Sequence, residues 1–465
     1  MKLRYLSLLV MAAMALNLTA NDYDLQEPFG FCTRSSRTNT ASQYAYDITG
    51  GGCYEYPVTG VSSSKVITLT STGADMMKTI SDAISKYDVI VLDGSKGDFI
   101  ISSVMSFNGI SGKTVLGING ARLCTQWYVT QEIIDALDDA GVPSMSTSSG
   151  GGTLSNGTSV SEEAEYKTRQ IIIDLTGDEK ESYRKSGIFY FKNCKNLIIR
   201  NLRFVGPGSI DVGGSDLISF YGTTNCWVDH CEFSDGMDGN FDITQKSDFN
   251  TVSWCTFSYS SRSYIHQNTN LIGSSDSEAT GYLNTTFAFN WWGTGCKQRM
   301  PMARVGKIHM LNNYFTCSGS SNCINPRKNS EFLIEGNYFA KGVKKYYSQS
   351  SATAVTWDSN NYIAELSGNN LPSSKGSTVT VPYDYTAAAY SIVPDAVSSH
   401  AGATLYIIGD ANGDRQVTIT DAVAIVNHIL DNASEGFVSA NADINNDGQI
   451  TISDAVGVVN IILNK

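Results

Sequence analysis

Val228-Asp229-His230-Cys231-Glu232-Phe233 is followed, 24 residues on, by Val252-Ser253-Trp254-Cys255-Thr256-Phe257. The pattern returns as Phe287-Ala288-Phe289-Asn290-Trp291-Trp292, as His309 to Phe315 and as Leu333 to Phe339, and it begins upstream at Ile198 to Phe204. Each segment is a short apolar or alternating stretch that ends in an aromatic or at Trp292. A constant period near 24 residues means stacked structural repeats. Short β-rich segments with turns between them predict a right-handed parallel β-helix.

Two positions before each terminal aromatic stand Leu202, Cys231, Cys255, Asn290, Asn313 and Asn337. Like stacks on like in such a coil, so the three Asn are expected to form an amide ladder that satisfies buried polar groups. Cys231 and Cys255 would be neighbours in the same column, as a disulfide or as two buried thiols. Upstream, Val89 to Asp93, Phe99 to Ser103 and Thr114 to Ile118 read as strands of the first coils. Ala74 to Tyr87 has helical periodicity and is expected to cap the open N-terminal end. Residues 125–170 break the rhythm as an insertion, with a helix at Gln131 to Asp139 and a Gly/Ser/Thr-rich loop at Ser144 to Ser159.

The composition agrees. Of 465 residues, 42% are apolar and 17% charged, with 42 Gly and 9 Pro; that is material for a core with many turns, not for long disorder. No apolar run is long enough to span a membrane. The net charge of −12 argues against general nucleic-acid binding. Half of that charge falls in residues 405–465, which hold eight acids and two bases. Lys2 and Arg4, the apolar stretch Leu6 to Leu16 and Leu18-Thr19-Ala20 read as a signal peptide over residues 1–20, so export is expected. The ten cysteines follow it and could form disulfides outside the cell; Cys317 and Cys323, six residues apart within an expected loop, are the candidates. No Cys-x-x-Cys motif argues for zinc.

Asp238-Gly239-Asn240-Phe241-Asp242 sets two carboxylates four apart around a glycine, and Asp216 lies one coil earlier. Carboxylates from adjacent coils can converge on a hard cation such as calcium. Arg299-Met300-Pro301-Met302-Ala303-Arg304 puts two Arg in one turn, suited to bidentate binding of a carboxylate substrate. His230, beside Asp229, is read as an interior or turn histidine rather than a base. No Gly-x-Ser-x-Gly elbow is present.

Trp227-Val228-Asp229-His230-Cys231-Glu232-Phe233-Ser234, Asp238-Gly239-x-x-Asp242, Leu271-Ile272-Gly273 and Gln298-Arg299-Met300-Pro301-x-x-Arg304 together resemble the pectate lyase family (polysaccharide lyase family 1). Ile199-Arg200-Asn201-Leu202, Ile308-His309-x-x-Asn312-Asn313 and Ala401-Gly402-Ala403 support the likeness, which spans about residues 28–404. The resemblance implies calcium-dependent β-elimination on polygalacturonate, with Asp216, Asp238 and Asp242 as calcium ligands, Arg299 as the base and Arg304 as partner of the substrate carboxylate. Removing a proton α to a carboxylate requires that the enolate-like charge be stabilised. There are two departures. Gly214 stands where many relatives have a further Asp ligand, and Asn268 where many have a substrate-binding Lys; Lys297 or Arg262 is the expected substitute. Competing expectations are a calcium-independent pectin lyase on methylated pectin, a hydrolase of the same architecture, and a non-catalytic galacturonan-binding β-helix.

At the C-terminus, Asp410, Asn412, Asp414, Gln416 (through its carbonyl), Thr418 and Asp421 have the ligand spacing of an EF-hand-like calcium loop. Asp443, Asn445, Asp447, Gln449, Thr451 and Asp454 repeat it 33 residues later. Arg415 stands where the first loop would usually have Gly. Apolar helical stretches, Ala422 to Leu430 and Ala455 to Leu463, follow the loops. The pair resembles a type I dockerin, a small α-helical domain over 405–465 that implies structural calcium and a cohesin-like partner. The sequence therefore predicts a secreted monomer: leader 1–20, lyase domain 21–404 and dockerin-like domain 405–465.

Overall fold

The computed structural model describes residues 27–35, 43–142, 160–210, 212–348, 351–365, 373–433, 436–445 and 447–463. The expected leader and the loop at Ser144 to Ser159 lie outside the described residues. Three parallel sheets of ten, nine and seven strands run the length of the body, each ordered by coil. One coil shows the plan. Thr224–Asp229 lies in the ten-stranded sheet, Glu232–Ser234 in the nine-stranded and Phe241–Thr244 in the seven-stranded, and Asp248–Ser253 returns to the first. This is a parallel β-helix.

The terminal aromatics stack as the period predicts. Phe204, Phe233, Phe257, Trp292, Phe315 and Phe339 are in register, with successive ring centroids 5.1, 5.1, 5.3, 4.9 and 4.5 Å apart. Parallel strands sit about 4.8 Å apart, which matches the spacing of stacked rings. Beside them runs the amide ladder. Asn290 Nδ2 donates to Asn313 Oδ1 at 3.1 Å, and Asn313 Nδ2 to Asn337 Oδ1 at 2.9 Å. Asn361 extends it by one coil, accepting from Asn337 Nδ2 at 3.0 Å. Cys255 N donates to Asn290 Oδ1, so the cysteines do share this column. All ten cysteines are free thiols; Cys317 and Cys323 Sγ lie 3.8 Å apart.

One residue earlier in each of these six coils the chain turns through left-handed φ: Asn201 (57°), His230 (47°), Trp254 (51°), Phe289 (55°), Asn312 (52°) and Gly336 (66°). The corner between the first two sheets demands that conformation, which favours Asn and Gly. His230 is thus a buried corner residue. Its Nδ1 lies 2.7 Å from Asp229 Oδ2 and its ring stacks on Trp254.

The capping helix is Met77–Lys86, with Ile80, Ala83 and Ile84 turned into the main core. In the insertion, Gln131–Asp139 is helical as expected, while Val160–Thr176 is a helix that the sequence reading missed. The insertion therefore does not end at residue 170. Ile133, Leu137, Ala164, Ile172 and Met237 form a second small core under it.

The β-helix does not release the chain at residue 404. Leu405 N donates to Asn201 Oδ1 and Asn201 Nδ2 to Leu405 O, at 2.9 and 2.7 Å. Arg200 Nη1 donates to the Tyr406 hydroxyl at 3.0 Å, and Ile408 N to Asn119 Oδ1 at 3.1 Å. Tyr406 packs with Val89, Val91, Leu116 and Ile118. The first acidic loop opens at Asp410, two residues past this strap.

Candidate active site

The seven-stranded sheet carries the site. In Phe241–Thr244, Phe241 and Ile243 point into the core, so alternation turns Asp242 outward. Asp216 precedes the strand Ile218–Tyr221, one coil below. Gly239 sits between the two acids: a Cβ there would lie 2.8 Å from Asp216 Oδ1 and 3.2 Å from Asp242 Oδ1. The glycine of the motif is what allows these carboxylates to face each other.

Asp242 Oδ1 accepts from Leu271 N at 2.9 Å, and Asp216 Oδ2 from Ser219 Oγ at 2.8 Å. Asp216 Oδ1 is buried without a hydrogen-bond partner. Burial, with the charges of Asp242 and Asp238 added, drives the Asp216 carboxyl well above the usual range. Burial likewise pushes Asp242 up to about 7, against the opposing pull of Arg299. For Asp238, burial is outweighed by His266 and Arg299, and its carboxyl lies below the usual range. An orphaned carboxylate oxygen beside a second raised carboxyl is a hard-oxygen donor set that one arginine does not offset, and these residues fit a divalent cation.

Asp238 is turned aside from the other two, with its Oδ1 2.9 Å from His266 Nε2. His266 in turn lies 2.8 Å from Asn268 Nδ2. Sequence reasoning missed His266, because it lies on an irregular segment with no periodic signal. Among the described residues, three carboxylate oxygens converge within 4.8 Å at Asp410, Asp414 and Asp421; the groove aspartates are not drawn that close.

Arg299 has left-handed φ (61°), and its carbonyl accepts from Asn270 N at 2.7 Å. Buried Met300 anchors the turn, and the Met300–Pro301 bond is cis. The Arg299 charge pulls down all three aspartates, so the four groups form one electrostatic cluster. Arg304 follows the same short strand, Met302–Ala303, that Arg299 precedes. Its Nε meets Asp276 Oδ1 at 3.0 Å and its Nη1 meets Gly273 O at 2.9 Å; Asp276 was also missed. Lys297 Nζ lies beside Gly319, toward the next coil, and Arg262 lies over the Tyr128 ring at 4.6 Å.

In the C-terminal module the two loops wrap alike. Asn412 Oδ1 accepts from Asp414 N and Asp414 Oδ1 from Gln416 N; Asn445 Oδ1 accepts from Asp447 N and Asp447 Oδ1 from Gln449 N. Asp410 Oδ2 accepts from Arg415 N and Asp443 Oδ2 from Gly448 N. Arg415 takes φ 69° where Gly448 takes 81°, so the loop does impose glycine-like backbone on an arginine. The helices begin earlier than expected, at Ile419 and Ile452. This makes Thr418 an N-cap and Asp421 its capping-box partner. Asp410 Oδ1 is buried and unpartnered, and burial pushes that carboxyl up to about 6. No helix among the described residues is long and apolar enough to cross a membrane.

Residues 162–405 match the family described as pectate lyase, and residues 408–463 match the dockerin type I domain. Pectate lyase A of Aspergillus niger is 34% identical over 226 residues, which cover 46% of this chain and 64% of that protein. The probable pectate lyase B of Aspergillus flavus is 30% identical over 266 residues, covering 50% and 76%. The chain thus spans 64% of the length of the first curated relatives it matches. Among solved structures, pectate lyase C of Erwinia chrysanthemi gives a TM-score of 0.44 at 19% identity, covering 76% of this chain and 93% of that one. The major cedar pollen allergen gives 0.47 at 18%, covering 77% and 92%. By its sequence, the chain belongs to the pectate lyase family and carries a dockerin type I domain at its C-terminus.

Proposed function

We propose that the protein is exported and cleaves de-esterified pectin, polygalacturonate, by β-elimination at the groove of the seven-stranded sheet. The observation that carries this reading is geometric: Asp216 and Asp242 face each other across Gly239, with Asp216 Oδ1 buried and unpartnered, on the outward face that Arg299 also charges. Asp216, Asp238 and Asp242 would hold calcium, which when bound neutralises the uronate carboxylate and so makes the adjacent ring proton removable. Arg299, in its neutral guanidine form, would take that proton while the C4 glycosidic oxygen leaves as the C4–C5 double bond forms and picks up a proton from water. Arg304, steadied by Asp276 and the Gly273 carbonyl, would hold a substrate carboxylate. The Asp410 and Asp443 loops would hold structural calcium, and the C-terminal module would attach the enzyme to a cohesin-like partner.

The test is ultraviolet absorbance of the conjugated double bond during incubation with polygalacturonate, with calcium and then with excess chelator. A calcium-dependent rise supports the reading. New reducing ends without a rise would mean hydrolysis. A rise on methylated pectin that survives chelator would mean a pectin lyase. Neither ends nor absorbance would leave a binding protein.

A further inference from the structure

The outward face that presents Asp242 continues for two coils toward the N-terminus. Tyr190, Ser219 and Asp242 are in register on adjacent strands, and Lys192, Tyr221 and Thr244 form the next outward column. The intervening Phe189, Phe191, Ile218 and Phe220 are buried in the core. Tyr190 and Tyr221 are half-buried, with ring centroids 6.1 Å apart, and Lys192 Nζ lies 5.2 Å from the Tyr221 centroid.

Lys192 shares its setting over a tyrosine ring with Lys195 and Lys246, but it stands in register with the face that presents Asp242. Lys65 and Lys113 pair with Asp88, Lys307 with Glu331 and Arg304 with Asp276. Among the described residues, no carboxylate pairs with Lys192. A uronate polymer repeats two chemistries, an apolar ring face that packs on aromatic side chains and a carboxylate that seeks an ammonium. Coils about 4.8 Å apart advance by nearly one sugar ring, so a chain laid along the groove meets a new coil with each residue.

We propose that Tyr190, Lys192 and Tyr221 form a further uronate-binding stretch, about two sugars long, that extends the groove past the aspartates and makes the protein favour long de-esterified chains over short oligomers. This rests on the substrate class proposed above. The stretch lies outside the reacting centre, so it acts on binding and not on the chemical step.

The test compares parent, the double variant Tyr190→Ala/Lys192→Gln, and Lys192→Arg. Elimination kinetics are read on polygalacturonate and on trigalacturonate, and calorimetry measures binding of galacturonate oligomers of increasing length. The double variant should raise KM on the polymer about tenfold, the factor that two modest contacts supply, with kcat unchanged. Turnover of the trimer should change less than twofold, and Lys192→Arg should retain most of the parent's affinity. Oligomer binding should tighten with length in the parent and level off in the double variant. A polymer KM within twofold of the parent, or equal gain with chain length, would overturn the stretch. If the parent binds oligomers without cleaving them and the double variant binds more weakly, the stretch stands and the lyase reading falls. A parent that neither binds nor cleaves would overturn both.

Discussion

Replacing Asp242 by Asn should stabilise the metal-free protein while weakening its response to calcium. In the parent, Asp242 Oδ1 accepts from Leu271 N, a bond that the Asn amide oxygen can keep. The carboxyl is raised from 3.8 to about 7 by burial, with Asp238 adding to the rise. That shift corresponds to about 4 kcal/mol of destabilisation once both states are ionised, an upper value because the side chain is partly exposed. The sign follows from which state ionises first. Below the ordinary carboxyl range both states are protonated and nothing is lost. As pH rises from about 4 to about 7 the unfolded chain ionises first, so native stability drains away, and above about 7 the loss is complete. The assay is denaturant unfolding in chelator at pH 5 and pH 8. Asp410, near 6, and Asp248, near 7, also titrate but are common to both proteins; Asp216, which the Asp242 charge pushes up, changes with it, so the difference reads the Asp216–Asp242 pair. The variant should be more stable than the parent at pH 8 by about 1–4 kcal/mol, and the gap should narrow at pH 5. With calcium added, the order should shrink or reverse, and the calcium needed for half-maximal turnover should rise about tenfold or more. A variant no more stable than the parent in chelator at pH 8, with calcium demand unchanged, would refute the reasoning.

Arg299→Ala should abolish formation of unsaturated product while leaving the melting temperature near that of the parent; retained turnover would remove it as the base. A chain ending at Ile408 should keep turnover on soluble substrate, whereas one ending at Thr404 should lose about 3 kcal/mol or more, because Asn201 and Arg200 lose partners and Tyr406 leaves its pocket. Equal denaturant midpoints for the two truncates would show that the strap contributes nothing. Asn313→Ala should cost about 3 kcal/mol, since four hydrogen bonds to Asn290, Phe287 and Asn337 are lost together; a loss below about 1 kcal/mol would mean that the ladder relaxes or admits water.

Much of the candidate site's layout was legible because β-helix architecture converts sequence period into spatial adjacency. Asp216 and Asp242 come from adjacent coils for the same reason that Phe233 lies on Phe257, whereas Asp238 shares the coil of Asp242 and meets His266. Asn361 escaped notice because its coil ends in Ile363 instead of an aromatic, although the 24-residue spacing from Asn337 is kept. His266 and Asp276 escaped because they sit on irregular segments between coils, where no period constrains position. The helix Val160–Thr176 was missed beside a Gly/Ser/Thr-rich stretch, and its buried Ala164 and Ile172 find their core only against Ile133 and Met237.

By itself, the sequence determined the coil, its register, the amide ladder and the positions of both acidic loops, because each is a short-range pattern repeated at fixed spacing. Tertiary structure alone decided the electrostatic state of the groove. Whether two aspartates repel, which of them His266 draws aside, and whether Lys192 lacks a counter-ion depend on separations in space and on exclusion of water. It also decided where one module ends and the next begins. Asn201 and Tyr406 lie far apart in the chain, and only folding brings them into the contacts that bind the strap to the β-helix.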